Sequence, residues 1–340
     1  MPSARTYLDY NASAPLRPEA RDAMLAALEV CGNPSSVHAE GRRARAIVEH
    51  ARAQVAALVG ADPASVVFTS GATEANASVF AAPWDVLFIP GIEHASILAP
   101  AAAHAGHVHD IPADSRGVAA GVATIDLRAE HERDSGHSGR LFAALQLANN
   151  ETGVIQPVAD AAAITRANDI HLHCDAVQAA GRVPLDFSGL GCDTMSLTSH
   201  KIGGPKGAGA LIVRDGITLP VFLAGGGQER RRRGGTENVA AIAGFGVAAE
   251  LAHRDLDRMA GVAALRDALE RAVCEMTPEA TVIGARAPRL ANTSCIAWPG
   301  KSAETMVIKF DLAGIAVSAG SACSSGKVAQ SHVLAAMGLP

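Results

Sequence analysis

The sequence predicts an α/β fold, a central sheet flanked by helices, with a second and smaller domain toward the C-terminus. Short apolar runs ending in Gly, Ser, Asp or Pro alternate with longer segments of helical periodicity, the pattern left by strands and helices laid down in turn. No internal repeat or low-complexity block interrupts that alternation. With 340 residues, 49% of them hydrophobic, the chain is long enough to bury a large core and carry another domain beside it.

The elements follow in order. Ile47, Ala51, Val55 and Leu58 recur at helical spacing, and Gly60 stops that helix. Residues 66–68 and 86–89 are apolar throughout and read as buried strands. Further strands are expected at 141–147, 170–174, 194–197 and 210–213. Around 240–260 the pattern changes to one long Ala-rich helix, followed by strands at 281–283 and 293–297. The division expected is an N-terminal segment, 1–15, joining the small domain, a large ligand-binding domain over 16–250, and the small domain over 251–340.

Composition excludes several functions. A formal net charge of -5 and a pI near 6.2 give no basic field for nucleic acid or an anionic membrane. The opening residues contain Asp9 and Pro15 and lack an apolar core of signal-peptide length, and the uncharged run at 240–249 is too short to span a bilayer. A cytoplasmic enzyme is the expectation. The cysteines, at 31, 174, 192, 274, 295 and 323, form no C-x-x-C pair and no zinc-like spacing, so neither a disulfide framework nor a metal site of the chain's own is expected.

The chemistry-bearing positions cluster at predicted strand ends. Asp175 follows the apolar run 170–174, at the carboxyl edge where open α/β sheets bind ligands; taken alone, an Asp there reads first as a helix N-cap. Lys201 comes off the strand at 194–197 into the glycine-rich 202–209, where a backbone can approach a ligand closely. A lysine so held can form a Schiff base, and pyridoxal phosphate needs both such a lysine and a carboxylate against its pyridinium nitrogen. Residues 68–74 look like strand, tight turn and helix start, so Ala72 and Thr73 offer amides and a hydroxyl to a phosphate, although a plain Thr cap reads the same. His94, just after a strand, is a candidate to stack on a ring or shuttle a proton, or else a packing residue. Cys323 sits among small polar residues at 318–326, the setting of an accessible thiolate or of an incidental loop cysteine. Arg230–Arg233 beside glycines reads as a solvated or subunit-facing loop.

In this order and across 7–339, the segments LDYNASAP, GNPSSVHAEGRRAR, FTSGATEAN, EHASIL, ANNETGVIQP, HCDAVQAAG, SHKIGGPKGAGAL, GGGQERRRRGGTENV and GSACSSG followed by SHVLAAMG resemble the class I cysteine desulfurases, within the class V aminotransferase superfamily. The resemblance implies a fold-type I pyridoxal-phosphate enzyme with a mostly parallel sheet in its large domain. It implies conversion of L-cysteine to L-alanine, with sulfur passed to Cys323 as a persulfide for iron–sulfur assembly or other sulfur transfer. By matched motif, Lys201 is the Schiff-base lysine, Asp175 the partner of the ring nitrogen, and His94 the stacking residue. Gln178 and Asn150 lie near the phenolic oxygen, while Ala72, Thr73, Thr198 and His200 cradle the phosphate. Thr236 reaches the phosphate of a neighbouring subunit, which implies a homodimer. The implied partners are L-cysteine and a sulfur acceptor or iron–sulfur scaffold protein, with Cys323 as a transient cluster ligand shared with that scaffold.

Thr198 stands where the family has Ser, keeping the hydroxyl. The family's helix at SHVLAAMG leads to a strand bearing an arginine that grips the substrate carboxylate; the sequence ends at Pro340, so a C-terminally shortened small domain with a weaker hold on that carboxylate is expected. Other fold-type I activities, an aminotransferase or a selenocysteine lyase, or a non-catalytic homodimer, stay open at this point.

Overall fold

The structure, a computed structural model, describes residues 5–136, 139–320 and 330–339. Its strands are β1 (Thr6–Tyr7), β2 (Val66–Thr69), β3 (Val86–Pro90), β4 (His107–Ile111), β5 (Leu141–Ala144), β6 (Ile170–Asp175), β7 (Thr194–Thr198), β8 (Gly209–Val213), β9 (Thr281–Ile283), β10 (Cys295–Ala297) and β11 (Ile315–Ala316). The helices are α1 (Pro18–Leu28), α2 (Ala39–Leu58), α3 (Ala72–Phe80), α4 (Ala95–Ala102), α5 (Ile125–Asp134), α6 (Val158–Ala167), α7 (Phe187–Leu190), α8 (Val239–Arg254), α9 (Met259–Met276), α10 (Ala303–Leu312) and α11 (His332–Ala336).

Seven strands form one sheet in the order β2-β8-β7-β6-β5-β3-β4. Neighbours from β4 to β7 are parallel, and β8 runs against both β7 and β2. The reason the strands are apolar at consecutive residues is that both sheet faces are covered. Phe68, Phe88, Leu172, Met195 and Ile212 pack in one core with α2, α6 and α8. Val67, Leu87, Phe142 and Leu211 point the other way, into a second core under α3 and α4. A strand buried on both faces need not alternate apolar with polar residues, and polar ones kept inside can pair by hydrogen bonds, as His173 and Thr194 do.

The chain outside this sheet adds two small pairings. β1 runs parallel to β11, and β9 pairs antiparallel with β10. The start and the far end of the chain therefore share one ladder. Among the described residues no helix is long and apolar enough to cross a membrane.

Four details differ from the sequence expectation, three of them because a residue distant in sequence intervenes. The strand expected over 141–147 ends at Ala144, because the Gln146 backbone N–H turns to Glu93 Oε1 at 2.6 Å while Leu145 and Leu147 still bond β6. The long helix expected over 240–260 breaks after Arg254, where Asp255 is drawn to Arg17 at 2.7 Å and a 3₁₀ turn intervenes before α9. β10 begins at Cys295 rather than 293, since the Thr293 hydroxyl accepts from Asn11 at 2.9 Å. Finally, β4 had no signal: it is an edge strand, HVHDI, whose mostly exposed polar residues leave no apolar run. The stop after α2 is as expected, with Gly60 at φ +62 against the Asp186 backbone.

Candidate active site

β2, β3, β5, β6 and β7 point the same way, so their carboxyl ends open on one edge of the sheet. A cavity of about 450 Å³ lies there, and its wall takes residues from every one of those strand ends. Ala72, Thr73, His94, Asn150, Asp175, Gln178, Thr198, His200 and Lys201 all line it. Thr236 is exposed and stands apart from this wall. Cys323 lies outside the described residues.

Asp175 is the last residue of β6, and no helix follows it, so it is not an N-cap. Its Oδ1 accepts the Val177 N–H at 3.0 Å and its Oδ2 accepts from Asn76 at 3.2 Å. Lys201 closes the 3₁₀ turn that leaves β7, and its Nζ donates to the Asn11 carbonyl. Gln178 donates to the same carbonyl at 3.0 Å and is gripped from behind by the Arg182 guanidinium. That arginine, buried so deeply that desolvation lowers its pKa to about 10, also reaches the Tyr10 and Lys201 carbonyls at 3.4 Å. The N-terminal loop is thereby fastened beneath the lysine. His94 has a structural task as well, capping α4 by accepting the Ser96 N–H on Nδ1 at 3.1 Å.

At the other end of the cavity α3 begins, and its first turn leaves amides without intrahelical acceptors. Ser70 N–H is taken by Glu74 at 2.8 Å, and Glu74 is in turn held by Arg233 at 2.9 Å, so the amides of 72 and 73 are left for the cavity. Lys201 and Lys206 add positive charge there. Burial, and then those two lysines, lower the His200 pKa to about 4, so this histidine is a neutral hydrogen-bonding group at physiological pH. The environment is built for an anion. Gly209 permits it: a Cβ there would lie 2.6 Å from Gly71 Cα and 2.8 Å from the Leu197 carbonyl, backbone that cannot yield. Gly209→Ala is expected to lose about 1–3 kcal/mol of stability, read as a lower urea midpoint, and to weaken phosphate binding by displacing Gly71.

Pyridoxal phosphate fits these features. A helix start with neighbouring lysines suits its phosphate, and the Asp175 carboxylate suits a protonated ring nitrogen. The buried Asn150 Oδ1 has no hydrogen-bond partner among the described residues, and an amide so placed can turn either end toward a phenolic oxygen.

Glu93 lies behind this wall, fully buried, with Oε2 unpartnered among the described residues. Desolvation, reinforced by the Asp175 charge and opposed by the Gln146 N–H, raises its pKa to about 8. The folded chain thus keeps a proton that the unfolded chain releases above its ordinary value of 4.5. Glu93 therefore subtracts stability progressively as pH rises from about 4.5 to 8. In cofactor-free protein, Glu93→Gln should gain stability relative to wild type as pH is raised across that window, measured by urea unfolding at its two ends.

Sequence reasoning missed Asn11, Asn76, Ser96 and Gln146. Asn11 lies within the motif LDYNASAP, but nothing local told that its carbonyl would meet a lysine 190 positions away. Asn76 had a weak signal, a polar residue on the buried side of an otherwise apolar helix turn.

A family profile described as Aminotransferase class-V matches residues 6–337. A cysteine desulfurase of Cereibacter sphaeroides is 40% identical over 99% of this chain and 87% of its own length. The cysteine desulfurase IscS of Dictyoglomus turgidum is 37% identical over 98% of this chain and 86% of its own. Among solved structures, a NifS-like protein from Rickettsia africae superimposes with a TM-score of 0.89 at 32% identity, covering 99% of this chain and 90% of that one. A structure titled SspA in complex with cysteine gives 0.81 at 28% identity, covering 98% and 95%. Full-length similarity of this kind, in sequence and in fold, places the chain in the class-V aminotransferase family, among the cysteine desulfurases.

Proposed function

We propose that this chain is a pyridoxal-phosphate-dependent cysteine desulfurase that converts L-cysteine to L-alanine and collects the sulfur on Cys323. The observation that carries the reading is the convergence of Lys201, Asp175 and the start of α3 on a single cavity at the carboxyl edge of the sheet. Bound there, the cofactor supplies an electron sink for the pair released when the substrate Cα–H bond breaks.

The chain's own residues do the rest. Lys201 Nζ would hold the cofactor's aldehyde, and as a free amine it is the base for the substrate Cα proton. Asp175, fixed by the Val177 N–H and by Asn76, holds a proton on the ring nitrogen. Gln178 and Asn150 face the phenolic side, and Ala72, Thr73, Thr198 and His200 hold the phosphate. His94, in the cavity wall, would lie against the bound cofactor and exchange protons with the substrate thiol. The Cys323 thiolate attacks the substrate sulfur: an S–S bond forms, the Cβ–S bond breaks with its electron pair left on Cβ, Cβ takes up a proton, and alanine leaves.

Exposed Thr236 serves the phosphate of a second copy, so the active unit is a homodimer, and the pairing of β1 with β11 supports a small domain built from 1–15 and 251–340. The persulfide goes to an acceptor or iron–sulfur scaffold protein in the cytoplasm, with Cys323 lending itself briefly to the cluster.

The test is incubation of reconstituted protein with L-cysteine and a thiol reductant, assaying alanine and sulfide together, with single-turnover persulfide labelling of Cys323. Equal release of both, with label at Cys323, is expected. Alanine from selenocysteine only, or amino-group transfer to a keto acid without sulfide, would replace this reading.

A further inference from the structure

Behind the cavity wall a chain of side-chain hydrogen bonds links the Asp175 carboxylate to two histidines through one amide. Asn76, on the second turn of α3, is fully buried. Its Nδ2 lies 3.2 Å from Asp175 Oδ2 and 2.8 Å from Ser96 Oγ, and its Oδ1 lies 2.9 Å from His173 Nε2. His173 is buried too, and its Nδ1 is 2.9 Å from Thr194 Oγ1. Ser96 Oγ in turn lies 2.8 Å from His94 Nδ1.

We propose that Asn76 is a positioning residue: oriented by the Asp175 carboxylate, it fixes His173 and, through Ser96, His94 as neutral imidazoles that each carry their proton on Nε2. The proposal deepens the reading of Asp175 and His94 as site residues and rests on it.

The direction of every bond follows from what each group can do. A carboxylate only accepts, so the amide must turn an N–H toward Asp175; the reverse orientation would set its carbonyl oxygen against the carboxylate at a buried contact. The second amide proton then goes to Ser96, and Oδ1 faces His173. An acceptor there requires the proton on Nε2 of His173, which leaves Nδ1 to accept from the Thr194 hydroxyl. Burial independently keeps this ring uncharged, its pKa lowered to about 3.

On the other arm, Ser96 Oγ accepts from Asn76 and so has its own proton to give to His94 Nδ1. The Ser96 backbone N–H, a donor only, points at the same nitrogen at 3.1 Å, so Nδ1 cannot hold a proton. His94 therefore presents an N–H at Nε2, one exchangeable proton for the substrate thiol. One buried amide thus orients both Asp175 and, through Ser96, His94 in the cavity wall.

The experiment uses the full chain free of cofactor. Multiple-bond ¹H–¹⁵N correlation spectra of the imidazoles near neutral pH, assigned with single His→Gln variants, should show His94 and His173 each as one neutral Nε2–H tautomer. His173 as the Nδ1–H tautomer or as imidazolium would overturn the proposal. Asn76→Asp, nearly isosteric, presents oxygen where an amide donated; His173 should then take the imidazolium signature. In the reconstituted variant kcat should fall at least about tenfold while KM for cysteine stays within about twofold.

Unchanged imidazole spectra and unchanged kcat in that variant would also overturn it. Should Asn76→Asp fail to fold, Ser96→Ala cuts only the arm to His94. There the His173 signature should persist while kcat falls about threefold to tenfold, and an unchanged kcat would remove Asn76 from any role toward His94. Failure of the desulfurase reading itself is separate: it would appear as absence of sulfide from wild type with these tautomers intact.

Discussion

Lys201→Ala should yield folded protein that retains no pyridoxal phosphate after borohydride treatment and gel filtration, and whose sulfide release falls on the order of 10³-fold or more. The size of the effect follows from two roles held by one atom. Nζ is both the point of attachment and the base for the Cα proton, so alanine removes anchorage and proton transfer together. Lys201→Arg keeps a positive charge near the phosphate end but cannot attach, and its activity should be as low. The Lys201 side chain lines the cavity and donates to the Asn11 carbonyl, a contact whose loss should change stability little; intact mass and urea midpoint check that the loss of activity is chemical. Retained sulfide release would remove Lys201 from the mechanism.

The largest effect on stability is expected from Arg52→Met. Arg52 and Glu229 form a two-pronged ion pair, both contacts 2.8 Å, with each side chain almost wholly buried. Glu229 also takes the Phe68 N–H at 2.8 Å, and Arg52 donates to the Val66 carbonyl at 2.8 Å and lies over the Phe68 ring. The pair thus ties the arginine-rich segment to the edge of the sheet. That segment needs holding, since Glu229, Arg230 and Arg231 all have positive φ, a conformation that costs roughly 1–2 kcal/mol per residue.

Removing Arg52 leaves an uncompensated buried carboxylate, so a loss of about 3–5 kcal/mol is expected from urea unfolding, while the double variant Arg52→Met with Glu229→Met should recover a large part of it. Arg233 lies on the same segment and holds Glu74, which holds the start of α3. The single variant should therefore also bind pyridoxal phosphate more weakly. A loss under 1 kcal/mol, or normal cofactor affinity in a destabilised protein, would separate the loop from the phosphate end of the site.

The arginine run shows how far local reading reaches. Its sequence implied a solvated or subunit-facing loop, and several of its side chains are exposed; that Glu229, beside them, is buried against an arginine 177 positions away had no local signal. Strands fared similarly. β2, β3 and β8 were legible because burial on both faces makes nearly every residue apolar, and β6 and β7 because their core residues Ile170, Leu172, Cys174, Met195 and Leu197 still mark a buried strand. The edge strand β4, half wet, wrote no such pattern, and the end of β5 was misplaced because a distant glutamate diverts Gln146.

By itself the sequence determined that strands and helices alternate, where most of them lie, and which residues stand at strand ends with the chemistry of a cofactor site. Those are consequences of composition and short spacing, written within a few residues of each position. Only the tertiary structure decided that the strand ends face a common cavity, that the Asn11 carbonyl meets Lys201 and Gln178, and that Asn76 joins Asp175 to two histidines. Apart from the short arm from Asn76 through Ser96 to His94, those contacts pair groups roughly a hundred or more positions apart, and a buried donor finds its acceptor through the path of the backbone in space, which no local pattern of side chains records.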